Sequence, residues 1–294
     1  MASGLLQVAR RAPTGHHSRV PLHDSHRASR SGAGPAIVLV HGLGATSDCW
    51  REVEPLLRPH REVVVLDLPG FGAAVPLGGP VTVEALADHL AQLLAEEDLL
   101  DADLVGSSMG GEVVLELLRR GVGTGDVVAL APSGYWGLGG RLWFRVVAWT
   151  ATVLVTGLRP IAPAIIARAW GRRLLLRPLS PVPALLPEVT ADSVHSFGNT
   201  AAFLPALRHL GRRRRPVRVP AGTAGPRRVT IAWGRRDGLC LPGQAQVAAE
   251  AVPDAVLHWL DRSGHLPPWD EPVATADLLL RVTGTVSALD GSLA

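Results

Sequence analysis

Lysine is absent from this chain of 294 residues, so all 29 of its basic side chains are arginines. With 32 glycines and 24 prolines alongside, that absence marks a GC-rich coding sequence rather than a function. Cysteine is scarce as well. Cys49 and Cys240 stand far apart and outside any metal-ligand spacing, which excludes a disulfide framework and fits a reducing compartment. Charge of one sign does not dominate. The formal net charge is +3, too little to argue for a nucleic-acid partner despite a pI near 9.6. The compact basic run Arg212 to Arg215 reads as a solvated loop. The strongly apolar stretch 146–158, flanked by Arg145 and Arg159, falls short of the roughly 18 to 20 residues of a membrane span. It is expected to be a cap helix buried against the main domain, with interfacial lipid contact as the alternative and no stable membrane insertion. No long apolar core opens the chain, so a secretory signal is not expected and the cytoplasm is the expected location. Glycine-rich loops are present, but none has dinucleotide or phosphate-binding spacing, so neither a nucleotide cofactor nor a metal is expected.

What is present is a large apolar fraction, 47%, dominated by Leu, Val and Ala, which excludes a disordered or fibrous chain and suits one large α/β domain with an insertion. Residues 1–33, rich in Arg, Ser and His, read as a flexible or lightly structured leader. Continuous apolar runs at 36–40, 62–66, 102–105, 127–130, 228–233 and 255–260 have the character of strands covered on both faces. Between them lie helical patterns at 46–57, 82–95, 112–120, 242–251 and 272–282, with Thr82 capping the second. Alternation at this pace means right-handed parallel crossovers. From 135 to 225 the rhythm breaks into apolar helical patterns, many prolines and four tryptophans (Trp136, Trp143, Trp149, Trp170), with no strand signal. The expected organisation is a core of 34–134 and 226–294 carrying a helical cap, 135–225.

Chemistry in parallel sheets gathers beyond the carboxyl ends of the strands, and His41, Asp67, Ser108 and Ser133 all sit just past such ends. The centre is Gly106-Ser107-Ser108-Met109-Gly110, a Gly-x-Ser-x-Gly sequence between a strand and a helix. So tight a turn puts Ser108 in a strained conformation with its hydroxyl above the sheet, and the flanking glycines leave no Cβ to clash. A serine hydroxyl needs a base. His265, on a loop after the last strand with Gly264 before it, is the candidate. An imidazole in that role needs an acceptor on its far nitrogen; Asp237, after the preceding strand, can supply it. Asp261 and Asp270 compete, but lie too close in sequence to His265 to reach it easily. His41 reads as a structural residue of its loop.

These pieces resemble the α/β-hydrolase family over roughly residues 34 to 282. The segments that carry the resemblance are His41-Gly-Leu-Gly44, Asp67-Leu-Pro-Gly-Phe-Gly72, Gly106-Ser-Ser-Met-Gly110, Gly234-Arg-Arg-Asp237 and Gly264-His-Leu-Pro-Pro-Trp-Asp-Glu-Pro272. Ser107 departs from the histidine common before the nucleophile. The resemblance implies a mostly parallel sheet flanked by helices, a Ser108–Asp237–His265 triad, and an oxyanion hole formed by the backbone N–H groups of Met109 and Leu43. It implies a serine hydrolase with a cap domain, carboxylesterase-like, cleaving an ester or related acyl bond of a small apolar molecule. Diketone carbon–carbon hydrolysis, acyl transfer and a non-catalytic small-ligand receptor are the alternatives. Ser108 argues against haloalkane dehalogenases and epoxide hydrolases, which place Asp there.

Overall fold

The computed structural model describes residues 28–284 apart from 178, 182–196, 198, 199 and 214. Its sheet is built from seven strands: β1 (Ala28–Ser31), β2 (Ala36–Val40), β3 (Glu62–Leu66), β4 (Asp103–Ser107), β5 (Val127–Leu130), β6 (Val229–Gly234) and β7 (Ala255–Leu260). They lie in the order β1-β3-β2-β4-β5-β6-β7, and all neighbours are parallel except β1 and β3.

The apolar runs are continuous because both faces of the sheet are covered, yet each strand still alternates. Val38, Val40, Val64, Leu66 and Leu104 fill one core. Ile37, Leu39, Val63, Val65 and Val105 fill the other, against Trp50, Val53 and Leu57. Helix α2 (Val83–Glu96) closes the first core with Leu86, Leu90 and Leu94, all essentially unexposed, each contributing about 1.5–3 kcal/mol of burial. The Thr82 hydroxyl accepts from the Ala85 N–H at 3.1 Å, satisfying an N–H that the first turn leaves unpaired. Helix α3 (Met109–Arg119) lies beside α2. The second core is closed by α10 (Pro272–Val282) through Ala276 and Leu279.

The stretch 46–57, read as one helix, is two pieces: a 3-10 turn, Ser47–Trp50, and α1 (Glu54–Leu57). Pro55 has no N–H to give and is tolerated only in a first turn, so a new helix starts there. Residues 28–31, assigned by sequence to the leader, are an edge strand antiparallel to β3. That strand is held by Arg30, 3.5 Å from the Glu62 carboxylate and 3.6 Å from that of Glu97.

Between β5 and β6 lie α4 (Leu138–Leu158), α5 (Ala162–Ile166), α6 (Ala169–Leu176) and α7 (Phe203–Arg212). No strand occurs among the described residues of this insertion. The sequence reading of α4 needs correction. The helix starts eight residues before 146 and is buried against the main domain on one side only: Phe144 and Ala148 join the main core and Val155 is buried, while Leu138, Leu142, Val146 and Val153 face outward. By length and composition alone, Leu138–Ile166 reaches the range of a membrane-crossing helix. The remaining helices are α8 (Gly243–Ala251) and α9 (Pro267–Asp270).

Candidate active site

Strand β4 runs straight into α3 through Ser108, whose backbone sits at φ 54° and ψ −114°. This positive φ is a costly conformation for a side-chain-bearing residue, and the surroundings enforce it. The Ser108 N–H bonds the Leu130 carbonyl at 2.8 Å, while the Ser108 carbonyl accepts from Glu112 and Ser133 N–H groups at 3.2 and 3.1 Å. A Cβ on Gly106 would stand 2.2 Å from the Gly110 carbonyl oxygen, and one on Gly110 2.5 Å from that of His41. The turn therefore closes only with glycine at both positions.

The carboxyl end of β6 leads to Asp237, and the loop after β7 leads to His265. The His265 backbone N–H bonds the Leu179 carbonyl at 2.8 Å. Asp270, a sequence rival of Asp237, accepts from the Gly264 N–H at 2.6 Å and from the Ser180 hydroxyl. It shapes the loop and does not meet the imidazole. Asp261, the other rival, is exposed and paired with Arg235 at 2.6 Å. Asp237 is the carboxylate that reaches: His265 Nδ1 lies 2.9 Å from Asp237 Oδ2 and His265 Nε2 lies 2.9 Å from Ser108 Oγ. Asp237 Oδ1 accepts from the N–H groups of Leu239 and Cys240, both at 2.8 Å, so the carboxylate is held on both oxygens.

Two opposed effects act on His265. Burial strips water from the imidazolium and lowers its affinity for a proton, but the adjoining Asp237 carboxylate more than offsets this, and the net shift is well upward. Burial raises the Cys240 thiol above its ordinary value. This keeps it protonated beside the imidazole.

His41 has the opposite character. Its Nδ1–H donates to the Gly42 carbonyl at 2.8 Å and its Nε2 accepts from the Leu68 N–H at 2.9 Å, the pattern of a neutral ring. Burial lowers its proton affinity, with Asp67 acting against it. The ring ties the loop after β2 to the loop after β3. Asp67 makes a second tie, accepting from the Ser47 N–H at 2.6 Å and the Ala73 N–H at 3.3 Å. Sequence reading placed Asp67 at a strand end without a role; the clamp depends on the approach of a loop twenty residues away. Ser133, also at a strand end, turns inward and donates to Glu112 at 2.9 Å.

Leu43 lines the cavity beside Ser108, and Met109 opens α3, where its N–H has no partner within the helix. The cavity wall is apolar: Phe144, Ala148 and Val155 of α4, with Leu176, Phe197 and Trp269. Ser108 and His265 bring the hydroxyl and the imidazole to it. None of the α4 wall residues was singled out from sequence, because only the packed helix shows which face it turns inward. Among the described residues, no group of three His, Cys, Asp or Glu could hold a metal ion.

The profile of the Alpha/beta hydrolase family matches residues 37–278. The chain belongs to that family. An uncharacterized protein of Mycobacterium tuberculosis is 29% identical over 282 residues, covering 90% of this chain and 80% of its own. A pimeloyl-[acyl-carrier protein] methyl ester esterase of Chromobacterium violaceum is 27% identical over 244 residues, covering 80% of this chain and 89% of its own. Among solved structures, a thermophilic esterase of Thermogutta terrifontis superposes with a TM-score of 0.67 at 22% identity, covering 88% of this chain and 94% of its own. In this α/β-hydrolase the chain order of the three hydrogen-bonded residues is Ser, Asp, His, the order that the fold uses.

Proposed function

We propose that this α/β-hydrolase cleaves the ester bond of a small apolar substrate through an acyl-serine intermediate. The observation that carries the reading is the unbroken hydrogen-bonded chain from Ser108 Oγ through His265 to Asp237 at the wall of an apolar cavity. In the first half-reaction His265 Nε2 takes the Ser108 proton as the oxygen attacks the carbonyl carbon. Asp237 stabilises the imidazolium that forms and keeps its Nδ1–H pointed away from the serine. The tetrahedral oxygen takes its charge between the N–H groups of Leu43 and Met109; one such donor typically supplies about 2.7–4 kcal/mol. His265 then returns the proton to the leaving alkoxide. In the second half-reaction it activates a water that releases the acid from Ser108. The similarity to an esterase from Chromobacterium violaceum supports an ester over other acyl bonds, and the aliphatic and aromatic wall supports an apolar acyl group.

Labelling with a fluorophosphonate and turnover of p-nitrophenyl esters test this reading. Wild-type protein is expected to label and turn over; Ser108→Ala is expected to lose labelling and about 10⁶-fold in kcat while keeping its circular dichroism. Wild-type protein that is folded and does not label would favour a ligand receptor. Turnover of a diketone in preference to every ester and thioester would move the chemistry to carbon–carbon cleavage.

A further inference from the structure

Helix α4 is mostly apolar, with Arg141 and Arg145 as its charged residues, and its large aliphatic and aromatic side chains lie on two opposite sides. One side is covered. Phe144, Ala148, Ala151 and Val155 form the cavity wall, and Phe144 stacks on Trp136 at 4.5 Å. Leu142, Val146, Trp149 and Val153 repeat the same spacing two residues earlier, about 200° around the helix, and all four are exposed. Leu138, Leu154, Ile161 and Trp170 add further exposed apolar side chains to the same insertion, with Leu138 at 79% and Val153 at 66% exposure.

The charge of the surrounding region is one-sided. Residues 135–225 hold thirteen arginines against two acids, Glu188 and Asp192, while the chain as a whole is only +3. The small net charge thus conceals a strongly cationic cap on an acidic remainder. Arg145 on α4 itself, and Arg168, Arg173 and Arg177 on the segments that follow it, are exposed. Among the described residues of the cap, the arginine ion pairs are those of Arg213, with Glu84 and Glu112, and His209 lies 3.8 Å from Glu84 as well.

We infer that the outer face of α4, with the arginines of the cap, is a docking surface for an anionic phospholipid bilayer. Leu142, Val146, Val153 and Leu154 would enter the acyl boundary, Trp149 and Trp170 would sit at headgroup level, and the arginines would meet phosphate. The helix lies along the membrane rather than across it, because its inner face is committed to the cavity. A second copy of the chain fits poorly: a two-fold contact through this face would set arginines against arginines, with no acid among the described residues of the cap to pair them. Nucleic acid would match the charge and leave the apolar stripe uncovered.

The docking surface does not depend on the hydrolytic reading, and its assay needs no turnover. The full-length protein is expected to co-sediment with phosphatidylcholine vesicles containing about one-third phosphatidylglycerol, and not with pure phosphatidylcholine, with high salt weakening the binding. The double variant Trp149→Glu/Val153→Glu is expected to lower the affinity about tenfold or more. Arg168→Glu/Arg173→Glu is expected to remove much of the salt-sensitive part. Both should keep wild-type circular dichroism and, if the enzyme hydrolyses p-nitrophenyl acetate, wild-type rates on that soluble ester. The proposal is overturned by wild-type protein that stays in the supernatant, by folded variants that bind as tightly as wild type, or by a dimer in sedimentation velocity that Trp149→Glu/Val153→Glu dissolves.

Discussion

The carboxyl edge of the sheet and the outer side of the cap obey different rules. At the sheet edge, burial and polarity are reconciled bond by bond: Asp237 accepts on both oxygens, His265 and His41 use both ring nitrogens, and Asp67 clamps two loops. On the cap, large apolar side chains stand in the open beside a surplus of arginine. Folding of this one chain accounts for the first pattern, since each of these four side chains has its partners within the molecule. It does not account for the second, because exposed Leu, Val and Trp gain nothing from the fold. On the docking proposal, the contrast separates residues kept for internal geometry from residues that meet a bilayer.

The sharpest test of the sheet edge is Asp237→Asn. The amide retains the shape but cannot stabilise an imidazolium, and it favours the wrong tautomer of His265, so kcat/KM is expected to fall about 10⁴-fold. The pH profile adds a sign. On the proposed mechanism His265 must be unprotonated to act as base, so wild-type activity is expected above its raised pKa and is expected to be lost as pH falls through it. Removing the carboxylate leaves burial as the dominant influence, and the acid limb of the residual activity is expected to move to lower pH. A limb that stays in place would mean that another group sets it.

How far the sequence foretold these two regions differs for the same physical reason. Continuous apolar runs and glycine-bounded loops are local signals, so β2 through β7, the strained Ser108 turn and the three hydrogen-bonded residues could be read directly. Ala28–Ser31 could not, since Ala-Ser-Arg-Ser carries no apolar pattern and is a strand only through its pairing with β3. The first turns of α4 were hidden by Gly139 and Gly140, poor helix formers. Its orientation was hidden more deeply: an apolar helix does not say which of its sides will be covered.

Two substitutions two residues apart on α4 sharpen the contrast. Phe144→Ala removes a buried ring stacked on Trp136 and should cost about 3–5 kcal/mol of stability. Leu142→Ser changes an outward side chain, and is expected to stay within about 0.5 kcal/mol of wild type in denaturant melts. A large loss from Leu142→Ser would show that the outer face is covered within the folded protein, and the distinction between the two regions would fail there.

The smallest effect concerns the seam where the two regions meet. Glu112, on α3 one turn after Ser108, is fully buried, and the Arg213 guanidinium of the cap lies 3.4 Å away without making a hydrogen bond to it. Burial raises the carboxyl to about 7, with Arg213 and the Ser133 hydroxyl only partly countering it. For an acid held above its unfolded value, the unfolded chain releases the proton first. Stability therefore declines as pH rises from the ordinary glutamate range to about 7, and the full penalty persists above that. A shift of this size corresponds to roughly 3 kcal/mol at most. Glu112→Gln can still accept from Ser133 and carries no charge to desolvate, so it should be indistinguishable from wild type near pH 4 and more stable by about 1–3 kcal/mol at pH 8. Denaturant midpoints across that range measure the difference. A variant less stable at pH 8 would mean that the Arg213 pair outweighs the burial of the charge, and that the cap is held to the core by electrostatics at this point rather than in spite of it.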